Sequence, residues 1–180
     1  MSSKIFVIGL SRTGTRSLIE AINILGYRGV HWGYTLHALK YAGNNLIGID
    51  YDKFEEFDAF GDIPVARIYP QLDVRFPGSK FILTTRRVDE WLATCAWKYP
   101  TVAPWVRRCW LAQEARRVAY ALHQELYGSP RYVRRLWKQG YERHTQGARE
   151  YFAGRSKDFL EMDVCSGAGW EDLCRFLGKE

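Results

Sequence analysis

Short apolar runs alternate along this 180-residue chain with longer stretches whose apolar residues recur every three or four positions. These are the two periods of buried strands and amphipathic helices. Lys4 to Gly9 is β-rich and ends in glycine, as a strand covered on both faces should read. Thr15 to Leu25 sets Leu18, Ile22 and Leu25 on one helical face, with Gly26 where a C-terminal cap belongs. Thr35 to Ala42 predicts a second helical piece, and the Gly/Asn-rich stretch Gly43 to Gly48 predicts a loop. Phe57 to Gly61 reads as a short strand, and Pro64 opens a helix that runs to about Phe76 and ends at Pro77-Gly78. Lys80 to Thr85 is the clearest later strand. Arg87 to Lys98 reads as a helix with Val88, Trp91, Leu92 and Cys95 on one side, closed by Tyr99-Pro100.

Pro104 to Tyr127 predicts a long helix with a stripe through Leu111, Ala115, Val118, Leu122 and Leu126. After Gly128-Ser-Pro130, Arg131 to Phe152 carries a second stripe through Val133, Trp137, Tyr141, His144, Ala148 and Phe152. Asp158 to Met162 reads as a last strand and Trp170 to Leu177 as a closing helix. Apolar strands alternating with helices imply a three-layer α/β/α domain with a mostly parallel sheet. Residues 1–180 read as one such domain, with a long helical segment over 104–152 inside it. Ligands of these sheets bind beyond the C-terminal ends of the strands. The residues that follow Gly9, Gly61 and Thr85 are therefore the ones to read for chemistry.

Composition narrows the class. With 47% hydrophobic and 26% charged residues in 20.9 kDa, the chain has the material for one core, which excludes wholesale disorder and two independent enzymes. No stretch approaches the ~20 apolar residues of a membrane span. The run Ile5 to Leu10 is too short for a secretory leader, which points to the cytoplasm. Cys95, Cys109, Cys165 and Cys174 lack metal-site or disulfide-framework spacing and read as buried thiols. The net charge of +6 is regional: residues 104–157 hold ten Arg and two Lys against four Glu, a local +8. Such a field suits nucleic acid, an anionic membrane or a polyphosphorylated small molecule, or simply reflects Arg-rich solvated helix faces.

Gly9-Leu-Ser-Arg-Thr-Gly14-Thr-Arg-Ser17 joins the first strand to the first helix, where free backbone N–H groups can point at an anion. The spacing approaches the nucleotide loop G-x-x-x-x-G-K-[ST], with Thr15 at the lysine position and Arg16 where the magnesium-binding hydroxyl would stand. That disfavours metal-dependent ATP hydrolysis. What remains is a metal-free phosphate cradle with Ser11, Arg12, Thr13, Gly14, Thr15, Arg16 and Ser17, or else a glycine turn with surface arginines.

Arg12-Thr-Gly-Thr-Arg16 followed by Ser17-Leu18 resembles the phosphosulfate loop of the sulfotransferases that use 3′-phosphoadenosine 5′-phosphosulfate (PAPS), in particular a small bacterial branch. A second match lies at Phe81-Ile-Leu-Thr-Thr-Arg86, with Thr94 eight residues further on. In that family such an Arg and hydroxyl hold the 3′-phosphate of the nucleotide. A guanidinium fork and a hydroxyl suit a dianionic phosphate; the lesser reading is that Arg86 caps or bridges a carboxylate such as Asp89 or Glu90. By position Tyr141 looks like the family tyrosine near the adenine, although its periodicity places it on a packed stripe. The resemblance covers most of the chain and is weakest over residues 100–140. It implies a P-loop-like fold, PAPS as co-substrate, no metal and a small-molecule acceptor.

Sulfuryl transfer needs charge stabilisation on the leaving phosphate and a group that takes the acceptor's proton. The family triplet His-x-Pro corresponds here to Asp62-Ile63-Pro64, which makes Asp62 the candidate base, with a helix N-cap as its other reading. His31 and His37 are alternatives. Arg12 stands where the family usually has Lys, so assistance to the leaving group would be electrostatic, Arg being permanently charged. The chain also stops at Lys179-Glu180, without the basic Arg-Lys-Gly loop of larger members. Trp91, Trp97, Tyr99, Trp105 and Trp110 could line an acceptor pocket or simply pack helices. Competing readings are a P-loop kinase or NTPase, a non-catalytic nucleotide-binding protein, and a nucleic-acid-binding module. The last has neither a helix-turn-helix nor a zinc signature to support it. The acceptor and the oligomeric state are not legible.

Overall fold

The computed structural model describes residues 3–99, 113–167 and 169–179. At its centre β1 (Ile5–Val7) is flanked by β5 (Ala59–Gly61) and β6 (Lys80–Thr84), with β2 (Gly29–His31) and β7 (Phe159–Met162) at the edges. All neighbouring pairs in this five-stranded sheet are parallel.

Alternation along the strands separates two cores. Ile5, Val7, Ala59 and Ile82 face α1 (Thr15–Ile24) and α7 (Trp170–Leu177), meeting Leu18, Ile22 and Leu173. Phe6, Ile8, Phe60, Phe81 and Leu83 face the opposite layer. That layer consists of α3 (Ile63–Arg75), α4 (Val88–Lys98), α5 (Gln113–Tyr127) and α6 (Arg134–Tyr151). The result is a three-layer α/β/α, P-loop-like fold. An aromatic cluster anchors the larger core: Phe6 lies 5.3 Å from Phe81 and 5.9 Å from Phe60, ring centre to ring centre.

Two sequence expectations are corrected. Thr35 to Ala42 is not one helix: a single turn, α2 (Gly33–Leu36), gives way to β3 (Leu39–Ala42). The expected loop Gly43 to Gly48 mostly belongs to β4 (Asn45–Ile49), which pairs antiparallel with β3. The apolar residues of this region, Leu39, Tyr41, Leu46 and Ile49, pack on the larger core, so burial of one hairpin face outweighs the weak helical pattern. β2 was not foreseen either; with three half-buried residues it shows no period.

The helical stripes hold where they are described: Val118, Leu122 and Leu126 are buried on α5, and Trp137, Tyr141, His144 and Ala148 on α6, while Val133 is exposed. The stretch Pro104 to Ala112 and Cys109 lie outside the described residues. Cys95 and Cys174 are buried as expected, but Cys165 is exposed, because it sits in the short turn Val164–Ser166 after β7 rather than on an element with an inner face. Part of the regional positive charge is paired across elements. Arg134 meets Asp89 at 2.9 Å, Arg149 meets Glu161 at 2.7 Å, and Arg155 meets Asp73 at 2.6 Å and Asp158 at 3.2 Å.

Candidate functional site

Register brings the strand tips together. Val7 is opposite both Gly61 and Ile82, and His31 is opposite Gly61, so β2, β5, β1 and β6 end side by side. The first turn, Asp62 and Arg86 therefore emerge along one edge of the sheet. Two features lash β1 to β6 there. A side-chain carbon at Gly9 would lie 1.8 Å from Thr84 Oγ1 and 2.7 Å from the Thr84 carbonyl oxygen, so only glycine permits the approach. Thr13 Oγ1 and Thr84 Oγ1 then share a hydrogen bond of 2.6 Å, and the Thr13 hydroxyl also lies 2.7 Å from the Leu10 carbonyl. Thr13 is fully buried, so its hydroxyl holds the loop in shape from behind.

The loop itself passes through left-handed backbone at Arg12 (φ 76°) and Gly14 (φ 94°). Gly14 is the N-cap of α1 and supplies no side-chain cap, and the first turn holds no acidic residue. The leading N–H groups of α1 thus have neither intrahelical partner nor capping oxygen, and the positive end of the helix dipole faces the loop. Arg12, Arg16 and Ser17 are exposed beside them. Arg12 forms no ion pair with any described residue. A side-chain carbon on Gly14 would stand 3.1 Å from Val164 Cβ, so the turn after β7 walls the loop on its other side.

At the tip of β6, Arg86 is held by Tyr141 from α6. The Tyr141 hydroxyl donates to the Arg86 carbonyl at 2.6 Å and accepts from the Arg86 N–H at 2.9 Å. Its ring lies 4.7 Å from that of Trp91. Tyr141 is thus bound to the site through the backbone of Arg86, a relation between residues 55 apart that no local pattern could reveal. The Arg86 Nε is buried without a hydrogen-bond partner, and the Glu90 carboxylate stands 3.5 Å from it. Thr94 is half-buried one turn further along α4, with its hydroxyl donating to the Glu90 carbonyl at 2.9 Å.

Asp62 occupies a backbone conformation, φ 87° and ψ −176°, that is nearly confined to glycine and costs about 1–3 kcal/mol. Its carboxylate compensates. Oδ1 caps α3 by accepting from Ile63 N–H at 2.8 Å and accepts from Ser11 Oγ at 2.5 Å, while Oδ2 lies 3.4 Å from His31 Nε2. His31 Nε2 is also 2.9 Å from Thr15 Oγ1, in the first turn of α1. Ser11, Thr15, His31 and Asp62 form one connected group at the loop, and the Ser11 carbonyl accepts from Trp91 Nε1 at 2.9 Å. Burial keeps the His31 imidazole below its ordinary value; Asp62 and Glu20 pull the other way and Arg16 adds to the lowering. His37 is exposed at the C-terminal end of α2.

Arg12 follows β1 and Arg86 follows the neighbouring parallel strand β6, so both leave the same end of the sheet. Burial pushes the Cys95 thiol up to about 12, and the charges of Arg12 and Arg86 oppose that shift. Arg12 also acts on the buried Tyr99 phenol, which burial raises. Trp105 and Trp110 lie outside the described residues, whereas Trp97 is exposed and Trp91 is core. Among the described residues no cluster of three or more His, Cys, Asp or Glu side chains could hold a metal ion, and no helix is long and apolar enough to cross a membrane.

Comparison with known proteins identifies the family. "Ava biosynthesis cluster protein M" of Aspergillus versicolor is 28% identical over 202 aligned positions, covering 97% of this chain and 75% of that protein. Residues 4–180 match the sulfotransferase domain family, which spans both strand tips, the Asp62 and His31 pair and the closing helix. The chain is therefore a member of the sulfotransferase domain family.

Proposed function

We propose that this protein transfers a sulfuryl group from PAPS to a hydroxyl or amine of a small-molecule acceptor. The observation that carries the reading is that Arg12 and Arg86 follow β1 and β6, neighbouring parallel strands, so that both leave the same end of the sheet. One nucleotide with phosphates at both ends is the ligand such an arrangement fits. The residues present suit it: α1 offers uncapped N–H donors at Gly14, Arg12 has no carboxylate partner among the described residues, and the buried Arg86 Nε lacks an acceptor. PAPS, when bound, would supply the activated sulfuryl group. The loop and Arg12 would hold its 5′ end, and Arg86 with Thr94 its 3′-phosphate.

Each of the chain's own groups then has a physical task. Arg12 stabilises negative charge that grows on the leaving phosphate, and does so as a fixed cation that keeps its proton. Arg86 must turn from Glu90 toward the ligand, a small exchange because their contact is 3.5 Å and partly solvated. Thr94 must likewise rotate its hydroxyl away from the Glu90 carbonyl. Asp62 and His31 lie beside the loop where the acceptor's proton has to go. A relative from a biosynthesis cluster supports a small-molecule acceptor.

Calorimetric titration with 3′-phosphoadenosine 5′-phosphate (PAP), together with labelled PAPS offered to a panel of phenols, alcohols and amines, tests the reading. Charge-assisted contacts of about 1.5–3 kcal/mol each imply that Arg12→Ala and Arg86→Ala weaken PAP binding by about ten- to a hundredfold apiece. Unchanged affinity in both variants removes the site assignment. Magnesium-dependent ATP turnover in place of PAPS consumption would replace the reading with a kinase or NTPase.

A further inference from the structure

Asp62 and His31 lie side by side at the loop, and their surroundings assign them different tasks. The Asp62 carboxylate is engaged at Oδ1, which accepts from Ser11 Oγ at 2.5 Å and Ile63 N–H at 2.8 Å, while Oδ2 stands 3.4 Å from the imidazole Nε2. The Oδ1 contacts hold the carboxylate against the loop and the start of α3 and sustain a backbone conformation that an aspartate otherwise avoids, which suits it to serve as a fixed partner beside the ring. His31 is differently placed. Its Nε2 faces Asp62 Oδ2 and Thr15 Oγ1, whereas its Nδ1 makes no hydrogen bond with any described residue, and its side chain keeps 17% exposure.

An ionised carboxylate only accepts, so the stable tautomer carries its proton on Nε2, toward Asp62. The Thr15 hydroxyl then accepts from Nε2–H and retains its own proton for an anion in the loop. Nδ1 is left with a bare lone pair on the partly exposed side. Ring and loop are one hydrogen bond apart.

We propose that His31 takes the acceptor's proton at Nδ1 and that Asp62 is a positioning residue that fixes the ring and stabilises the imidazolium. This rests on the sulfuryl-transfer reading above and specifies its chemistry. As the acceptor oxygen or nitrogen forms its bond to sulfur, the bond from sulfur to the phosphate oxygen breaks and its electron pair stays on the phosphate. The acceptor's proton moves to Nδ1 and leaves to water after product departs. The charged groups facing His31 are Asp62 from the tip of β5 and Arg16 and Glu20 from α1. Burial outweighs the acidic pair, so the ring is neutral at pH 7 and able to accept.

The test has a spectroscopic and a kinetic arm. In protein labelled with 15N-histidine, with His31→Asn used for assignment, long-range correlations should show His31 at pH 7 as the neutral Nε2–H tautomer, titrating below 6.5. Asp62→Asn should shift its titration further down. A ring protonated on Nδ1 at pH 7, or a titration indifferent to Asp62→Asn, overturns the proposal. In the kinetic arm, labelled PAPS is followed with water and the acceptor panel. His31→Asn should bind PAP within a few-fold of wild type while turnover falls about a hundredfold or more, and added imidazole should restore part of the turnover of His31→Ala. Wild-type turnover in His31→Asn with PAP binding intact sinks the proposal and leaves sulfuryl transfer standing. Failure of the wild-type protein to bind PAP instead sinks sulfuryl transfer and this proposal with it.

Discussion

Gly9→Ala should damage both the fold and the site, and its cost can be worked from the contacts at the β1 and β6 tips. The added carbon would lie 1.8 Å from Thr84 Oγ1, 2.8 Å from Thr13 Oγ1 and 2.7 Å from the Thr84 carbonyl oxygen. Rotation of Thr84 relieves the first contact only by breaking its hydrogen bond to Thr13, which leaves a fully buried hydroxyl without that partner. The carbonyl cannot rotate away, so the strands must separate locally, against pairing that includes Ile8 N–H to the Ile82 carbonyl at 2.8 Å. Overpacking and a stranded hydroxyl together amount to about 2–5 kcal/mol. Urea denaturation reads this as a lowered midpoint with unchanged slope. Gly33→Ala is the control, since its added carbon meets nothing within 4 Å. The double variant with Thr84→Ala should recover part of the loss, because it removes the 1.8 Å contact and keeps the 2.7 Å one. A Gly9→Ala protein within about 0.5 kcal/mol of wild type would refute the argument that these tips are in contact.

Tyr141→Phe removes the group that binds both the N–H and the carbonyl of Arg86, and should cost about 1–3 kcal/mol in denaturant and weaken PAP binding; a loss of stability with PAP affinity intact separates Tyr141 from the site. His144 is held down to about 4 chiefly by burial, while its Nε2 donates to the Ile8 carbonyl at 2.7 Å. The unfolded chain therefore binds more protons between pH 6.5 and about 4, and stability complete above 6.5 is lost as pH falls through that window. The loss is about 3 kcal/mol at its limit, and urea midpoints of wild type and His144→Gln at pH 7 and 4.5 check it, the variant losing less. The buried Cys95, raised to about 12, should resist a disulfide reagent until the protein unfolds, whereas the exposed Cys165 beside the loop reacts at once. Cys165→Ser should remove one thiol equivalent from that early phase, and bound PAP should slow the reaction of that thiol in the wild type.

Local pattern was enough for β1, α1, β6, α4 and α6, because each is long or apolar enough to show its period and is bounded by Gly or Pro. It was enough as well for the strand, glycine turn and helix start that follow one another around Gly9 to Ser17. It failed at β2 and at the β3–β4 hairpin, where three to five half-buried residues are extended only because another surface covers them. The two halves of the site were each visible as residue types; their adjacency depended on parallel pairing of β1 with β6.

Sequence alone thus determined the layer architecture and the chemistry of the side chains on offer, since burial period and residue charge are properties of the chain itself. Only the tertiary structure decided that His31 meets Asp62 and Thr15, that Tyr141 clamps the backbone of Arg86, and that Arg12 and Arg86 follow neighbouring parallel strands. Those relations span from 15 to 70 residues or so of chain, and they are set by strand register and helix packing, which act through space and leave no trace in local order.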